Sequence, residues 1–205
     1  ELASYGARVI HPRAVELGEL YNMPILVASS FSNSMGTVIC KEASMEVRNK
    51  VRGIAHDTNV AKITVIGVPD HPGIAMAIFE PLARANISVD TIVQNASVEN
   101  ITDLTFTVAR TDLIKTMSIV EPMAKSVGAK RCVADSKLAK VSIVGTGMQN
   151  MPGYAARMFH TLYEEGINIQ LITTSEIRIT CIVSEDRVED AVQALYKSFE
   201  LEKVT

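Results

Sequence analysis

The chain has 205 residues, of which 47% are hydrophobic and 21% charged, and its formal net charge is −3; such a chain can form one or two globular domains with sizeable cores. Its lysines and arginines are scattered, without the basic stripe that neutralises a phosphate backbone, so we expect no nucleic-acid partner. No apolar run approaches the roughly 20 residues that a membrane helix needs, and no signal-like segment opens the chain, so we expect no membrane partner and a cytoplasmic location.

Residues 1–46 differ in character from the rest of the chain. Pro12 suits the first turn of a helix, and the apolar face that follows ends near Asn22. Residues 25–27, after Pro24, and residues 37–40 predict two short strands separated by a serine-rich loop. We interpret this segment as the edge of a domain different from those that follow.

Residues 57–136 predict the order strand, helix, strand, strand, helix, strand. The first helix has apolar residues at four-residue spacing, and the third strand alternates apolar residues with threonines. The residues that carry these predictions are Ile63 and Val65, then Ile74, Ile78 and Leu82, then Ile87, Val89 and Ile92, then Leu104, Phe106 and Val108, then Leu113, Met117, Val120 and Ala124, and finally residues 130–134. The first repeat is therefore a βαββαβ unit.

The same order returns further along at a constant shift, which makes the chain a tandem repeat. Strands are predicted over 141–144, 167–172 and 177–183. One helix is predicted from the apolar face that includes Met158 and Leu162, and another from the face that includes Val188 and Leu195. The closing strand is missing, because little of the chain follows Phe199. We hypothesise that residues 51–55 supply it, so that the second domain consists of 47–56 plus 137–205 and the first repeat is inserted within it.

Both repeats begin with a Pro-Gly loop that leads into a helix, at Gly73 and again at Gly153; we call the offset between these two glycines the repeat shift. The start of a helix leaves backbone N–H groups without intrahelical acceptors and favours a negative charge, which suits the carboxylate of a free amino acid. Asp70 is placed to hold the ammonium group, and Gln94 can donate to and accept from a ligand hydroxyl. An alternative is that Asp70, and Asn150 in the second loop, merely cap the helices behind them.

The remaining chemistry-bearing residues predict no metal site. The three cysteines, Cys40, Cys132 and Cys181, are far apart in apolar or strand-like contexts, so we expect buried free thiols without a disulfide or zinc. The histidines show no metal-ligand spacing. Small two-layer units of this kind leave edge strands, and pairing those edges between copies predicts a dimer.

An ordered series of motifs resembles the ACT domain pair of aspartate kinases. The motifs are residues 5–16, 29–31, 51–55, 70–73, 94–95 and 172–177. The resemblance covers the whole chain and implies an α+β fold with two ferredoxin-like βαββαβ ACT domains, preceded in residues 1–46 by the closing segment of the kinase domain.

The resemblance also implies the site residues. Asp70, Gly73, Ile74, Ala75 and Gln94 look like the threonine site of the family, which Asn168 and Ile169 of the partner subunit complete. Ser175 and Glu176 look like residues around the lysine-responsive site. The second loop has Asn150 where the first has Asp70, and it therefore lacks the carboxylate that would pair with an ammonium.

Catalysis by this chain alone is not expected. It contains no glycine-rich, lysine-bearing phosphate loop and no match to the start of the family's kinase domains. ATP and magnesium are therefore expected only in a kinase domain, and the chain resembles in extent the separate regulatory subunit of some family members, or a truncated chain. Expected partners are a free amino acid (threonine, alone or with lysine), a second copy of the chain and a catalytic kinase subunit. Alternatives are a small enzyme with an unrecognised site, a dimerisation module that binds no ligand, and the ACT region of another biosynthetic enzyme.

Overall fold

The computed structural model describes residues 10–32, 35–40, 51–95, 99–146, 148 and 152–203. The helices in this part of the chain are α1 (Pro12–Leu20), α2 (Ile74–Arg84), α3 (Leu113–Ser126), α4 (Tyr154–Glu164) and α5 (Val188–Ser198). The strands are β1 (Ile25–Val27), β2 (Thr37–Ile39), β3 (Val51–Pro69), β4 (Val89–Gln94), β5 (Ile101–Val108), β6 (Arg131–Gly145), β7 (Leu171–Ser175) and β8 (Arg178–Ser184). No helix among these is both long and apolar enough to cross a membrane.

The N-terminal segment consists of α1 and the antiparallel pair β1 and β2, as the sequence predicts. Helix α1 begins at Pro12, and the imidazole of His11 caps it by accepting a hydrogen bond from the backbone N–H of Arg13. Its predicted apolar face is not covered, since none of its residues is buried. Cys40 is exposed just after β2, Cys132 is half-buried and Cys181 is buried. The expectation that all three cysteines are buried is therefore wrong for Cys40 and met fully only by Cys181.

The other strands form one antiparallel sheet in the order β4-β5-β3-β6-β8-β7. The C-terminal half of β3 pairs with β5 and with the start of β6, whereas its N-terminal half pairs with the end of β6. We define the first unit as the C-terminal half of β3 together with α2, β4, β5, α3 and the start of β6. The second unit is the end of β6 with α4, β7, β8, α5 and the N-terminal half of β3. The pairing hypothesised for residues 51–55 is present, because they lie beside residues 142–145.

Two pairs of strands that the sequence analysis separates are continuous in the structure. Residues 51–55 and 63–68 belong to one 19-residue strand, and residues 131–134 and 141–144 to one strand of 15 residues. The sequence analysis assigns the polar residues 135–137 to no strand. In the structure they are extended and lie where β6 passes from the first unit to the second.

Four isoleucines assigned to strands lie outside them, namely Ile87, Ile167, Ile169 and Ile177. Ile87 and Ile167 follow helices, and their N–H groups donate to the carbonyls of Leu82 and Leu162. The residues before them, an asparagine and a glycine, have positive φ angles of 56° and 65°, so each helix ends in a Schellman-type turn that buries an apolar residue after it. Ile177 lies in the turn between β7 and β8.

Each unit has its own core between its helices and one face of its sheet. The first core contains the fully buried side chains of Ile63, Ile78, Leu82 and Phe106, and the second contains those of Met158, Leu162, Leu195 and Phe199. The apolar spacing of α2, α4 and α5 predicted these faces. A third cluster of Val60, Leu138 and Ile182 lies where the two units meet.

Candidate functional site

The first candidate site is the loop between β3 and α2. Gly73 is the N-cap of α2 and has φ 98°, a backbone conformation that L side chains rarely adopt. Within the described ranges no side chain caps this helix start. The N–H of Ile74 donates to the carbonyl of His71 at 3.4 Å, whereas the next two N–H groups, of Ala75 and Met76, have no intrahelical acceptor. Asp70 therefore does not act as the cap, which was the alternative interpretation of its place in the sequence.

Asp70 lies instead beside Gln94. Its backbone N–H donates to the carbonyl of Asn100 at 2.8 Å, and its Oδ1 accepts a hydrogen bond from Nε2 of Gln94 at 3.4 Å. Both side chains are exposed. The fold thus brings together, from a loop and a strand that are distant in sequence, a carboxylate and an amide that both remain accessible to a ligand.

The other two residues predicted for this loop take different positions. Ile74 is only 7% exposed and packs in the first core, so its backbone, and not its side chain, can contribute to a site. Ala75 is exposed at the start of α2, where its small side chain leaves the helix terminus open.

The second loop repeats this geometry. Gly153 has φ 108° and is the N-cap of α4, which again shows no side-chain cap among the described residues. A cavity of about 500 Å³ lies between this helix start and the β7–β8 turn, and it includes Ser175 and Glu176 among its lining residues. Asn150 lies outside the described residues, so its proposed capping role stays a prediction.

Sequence reasoning missed Thr174 and Tyr154, which also line that cavity. Thr174 corresponds to Gln94 through the same repeat shift that relates Gly73 to Gly153. Applying the repeat shift to each predicted site residue would have found it.

Asn168 and Ile169 lie in the second unit, between α4 and β7, where the first is exposed and the second half-buried. The hydrogen bonds described within one chain do not connect either residue to Asp70 or Gln94. Their predicted role requires a second copy of the chain.

Chemically, the first loop can bind a small zwitterion. It presents backbone donors and a favourable helix dipole to a carboxylate, a carboxylate to an ammonium, and an amide to a hydroxyl. The part of the chain that the structure describes holds no group of three His, Cys, Asp or Glu residues arranged to bind a metal ion.

Comparisons with known proteins agree with this architecture. The sequence model of the ACT domain family matches residues 63–122 and 141–199, one segment in each unit. Aspartokinase from Pseudomonas aeruginosa is 45% identical over 205 residues, which is 98% of this chain and 50% of that protein. The chain thus spans about half the length of the curated relatives it matches.

Two solved structures are covered over nearly their whole length by about three quarters of this chain. One is described as aspartokinase alpha and beta subunits, with 47% identity and a TM-score of 0.69 over 74% of this chain and 99% of the matched one. The other is described as the ligand-free regulatory subunit of aspartate kinase from Thermus thermophilus, with 36% identity and a TM-score of 0.70 over 73% of this chain and 99% of the matched one.

Proposed function

The chain belongs to the aspartate kinase family, as a regulatory region with two ACT domains, and we propose that it binds threonine, alone or with lysine, to mediate feedback inhibition of aspartate phosphorylation. The observation that carries this proposal is the uncapped start of α2 beside the exposed pair of Asp70 and Gln94.

Each group of threonine has a counterpart in the first loop. The N–H groups of Ala75 and Met76 receive the carboxylate, and the helix dipole adds about 0.3–1 kcal/mol. Asp70 pairs with the ammonium group, and Gln94 exchanges hydrogen bonds with the ligand hydroxyl. These three contacts favour a hydroxyl-bearing amino acid over a purely aliphatic one of the same size.

The second loop is the candidate for lysine. Glu176 lies beside the cavity at the start of α4, where its carboxylate can pair with the side-chain ammonium while the helix start receives the ligand carboxylate. Ser175 and Thr174 add hydroxyls to the same cavity. This cavity therefore suits a ligand with a second positive charge.

A second copy of the chain completes the threonine site in this proposal. Strands β4 and β7 are at the two edges of the sheet, and pairing them between copies brings Asn168 and Ile169 to the first loop. A ligand held between two chains stabilises the dimer by mass action, and it inhibits the kinase if it binds the low-activity arrangement more tightly.

The kinase reaction is assigned to other parts of the protein. Residues 1–46 are proposed to close the kinase domain, residues 57–136 to form the first ACT domain, and residues 47–56 with 137–205 to form the second. ATP and magnesium bind the kinase domain or catalytic subunit, so the chain alone has no turnover. A cytoplasmic location follows from this role in amino-acid biosynthesis.

Calorimetric titration of the chain with threonine and with lysine tests the proposal. Asp70→Ala is expected to weaken threonine binding by about 10-fold or more, because a hydrogen bond to a charged group contributes roughly 1.5–3 kcal/mol. Glu80→Ala is the matched control, since it removes an exposed carboxylate from α2 that pairs locally with Arg84. It should leave threonine affinity within about twofold.

The outcomes separate the alternatives. Equal threonine affinity in Asp70→Ala and the parent chain would place the site elsewhere. No heat with either amino acid would favour a dimerisation module that binds no ligand. Turnover of aspartate and ATP by the purified chain would show an active site that this proposal does not contain.

A further inference from the structure

Lys140 is a charged residue inside the molecule. It lies on β6 in the second unit, and its side chain is 9% exposed. Burying an ammonium is costly unless a partner of opposite charge compensates it. The partner is Asp90, whose Oδ2 accepts a hydrogen bond from Nζ of Lys140.

Asp90 belongs to the other unit. It lies on β4, which pairs with β5 at the edge of the sheet. The β4–β5 register is irregular between Val89 and Ile92, where Asp90 lies. At this point the N–H of Thr91 bonds to Oγ1 of Thr107. The regular pairing of β4 with β5 is thus interrupted where Asp90 lies, and the ion pair to β6 attaches this part of β4 to the second unit.

Strand β4 also carries Gln94, which contacts Asp70 in the first loop. Asp90 and Gln94 lie on the same short strand, so a shift of β4 at the ion pair displaces the amide at the site.

A quasi-equivalent contact runs in the opposite direction. Lys62 on β3 donates to Oε1 of Gln170 at 2.6 Å, and Gln170 corresponds to Asp90 through the repeat shift. In both contacts a lysine on a long central strand reaches the edge of the other unit. Asp90 lies on the edge strand β4, and Gln170 immediately precedes the edge strand β7. Of these two contacts, the one to the first unit is an ion pair, and its lysine is buried while Asp90 is 36% exposed.

We propose that Lys140 is a positioning residue for the amino-acid site of the first unit, because its ammonium holds Asp90, and with it β4 and Gln94, against the sheet of the second unit. This inference rests on the proposed threonine site. The affinity of that site then depends on a residue of the second unit.

Hydrogen exchange and calorimetry on the full chain test this positioning role. Lys140→Met removes the charge at similar length and should accelerate exchange of the β4 amides without ligand. It should also weaken threonine binding by about fivefold or more, the lower end of typical coupling. Lys140→Arg keeps the charge and should restore most of both properties.

Lys115→Met is the matched control in the first unit. Lys115 is exposed and donates to the carbonyl of Ala85, so its replacement should leave β4 exchange and threonine affinity unchanged. Adding Asp90→Asn to Lys140→Met should weaken binding by no more than about a further twofold, because both changes remove one interaction.

A merely structural role predicts a different pattern. If Lys140→Met lowers the melting temperature but leaves both β4 exchange and threonine affinity as in Lys115→Met, the inference is wrong. It is also wrong if β4 exchange accelerates and affinity does not change. If the parent chain binds no threonine, the proposed function fails, and β4 exchange alone decides whether Lys140 positions the strand.

Discussion

At the scale of single residues, the backbone conformation at the two loop positions favours glycine, whereas the space around each position would admit a side chain. Gly73 and Gly153 have φ angles of 98° and 108°, and a Cβ atom added at either position would meet nothing within 4 Å. The open surroundings leave the loop accessible to a ligand, while the backbone angle turns the chain into the helix start.

Replacing either glycine by alanine is therefore expected to cost only the conformational penalty. We expect Gly73→Ala and Gly153→Ala each to lower the free energy of unfolding by about 1–2 kcal/mol. Urea denaturation measures the change. An unchanged free energy of unfolding at either position would contradict the strained conformation.

Cys181 gives a prediction for alkaline pH. It is fully buried, and burial raises the pKa of its thiol to about 12 from 9.0. The folded chain keeps the thiol proton above pH 9 while the unfolded chain releases it, so stability is fully present below pH 9 and falls as pH rises.

The parent chain should therefore lose stability with pH more steeply than Cys181→Ala, by up to about 1.4 kcal/mol per pH unit above about pH 9. Denaturant titrations at several pH values measure both slopes, and equal slopes would show that the thiol is not protected. Iodoacetamide should modify the exposed Cys40 and spare Cys181 in the folded chain.

Sequence reasoning located the first loop better than the second. Asp70 and Gln94 lie side by side, as the sequence indicated, because both stand next to strongly patterned elements whose position fixes their side chains. Thr174 was missed because a threonine at a strand end has no chemical signature of its own. Burial of Cys40 was mispredicted because its apolar neighbours lie in a sheet of only two strands.

At the scale of elements, β3 contributes to both cores. Val51, at its start, is fully buried in the second core, and Val65, towards its end, is fully buried in the first. Periodicity predicted the apolar halves of β3 and of β6, but not their continuity. Most joining residues are polar, although Val60 and Leu138 form the small third cluster there, and local sequence does not distinguish such a crossing from a turn.

Two matched substitutions in β3 should therefore loosen different parts of the molecule. Val51→Ala and Val65→Ala each remove about 1.6 kcal/mol of burial plus a cavity cost, so we expect each to destabilise by about 2 kcal/mol. Hydrogen exchange should accelerate mainly in β8 and α5 for the first change, and mainly in β5 and α2 for the second. The same exchange pattern for both variants would contradict two separate cores.

At the scale of the whole molecule, the sheet ends in two edge strands, β4 and β7, which pair on one side only within the described residues. Ile92 on β4 and Ile172 on β7 are 53% and 44% exposed, and they are related by the repeat shift. Unpaired edges that expose apolar side chains favour pairing with another copy.

We expect the chain to dimerise through these edges and threonine to strengthen the dimer. Changing both isoleucines to lysine should weaken self-association by about 10-fold or more, because charged side chains oppose edge pairing. Analytical ultracentrifugation with and without threonine measures this. A parent chain that is monomeric at every accessible concentration would contradict the prediction.

The long strands also determine how the two units can move. Separate domains are commonly joined by one flexible peptide about which they swing apart, but these units share an antiparallel ribbon of β3 and β6. The register of the ribbon is irregular between Asp57 and Lys62 and near Gly53. Opening like a hinge would break the hydrogen bonds of this ribbon, so the two units are tied together more firmly than by a single linking peptide. A displacement of either unit must therefore be shared by the strands that both units have in common.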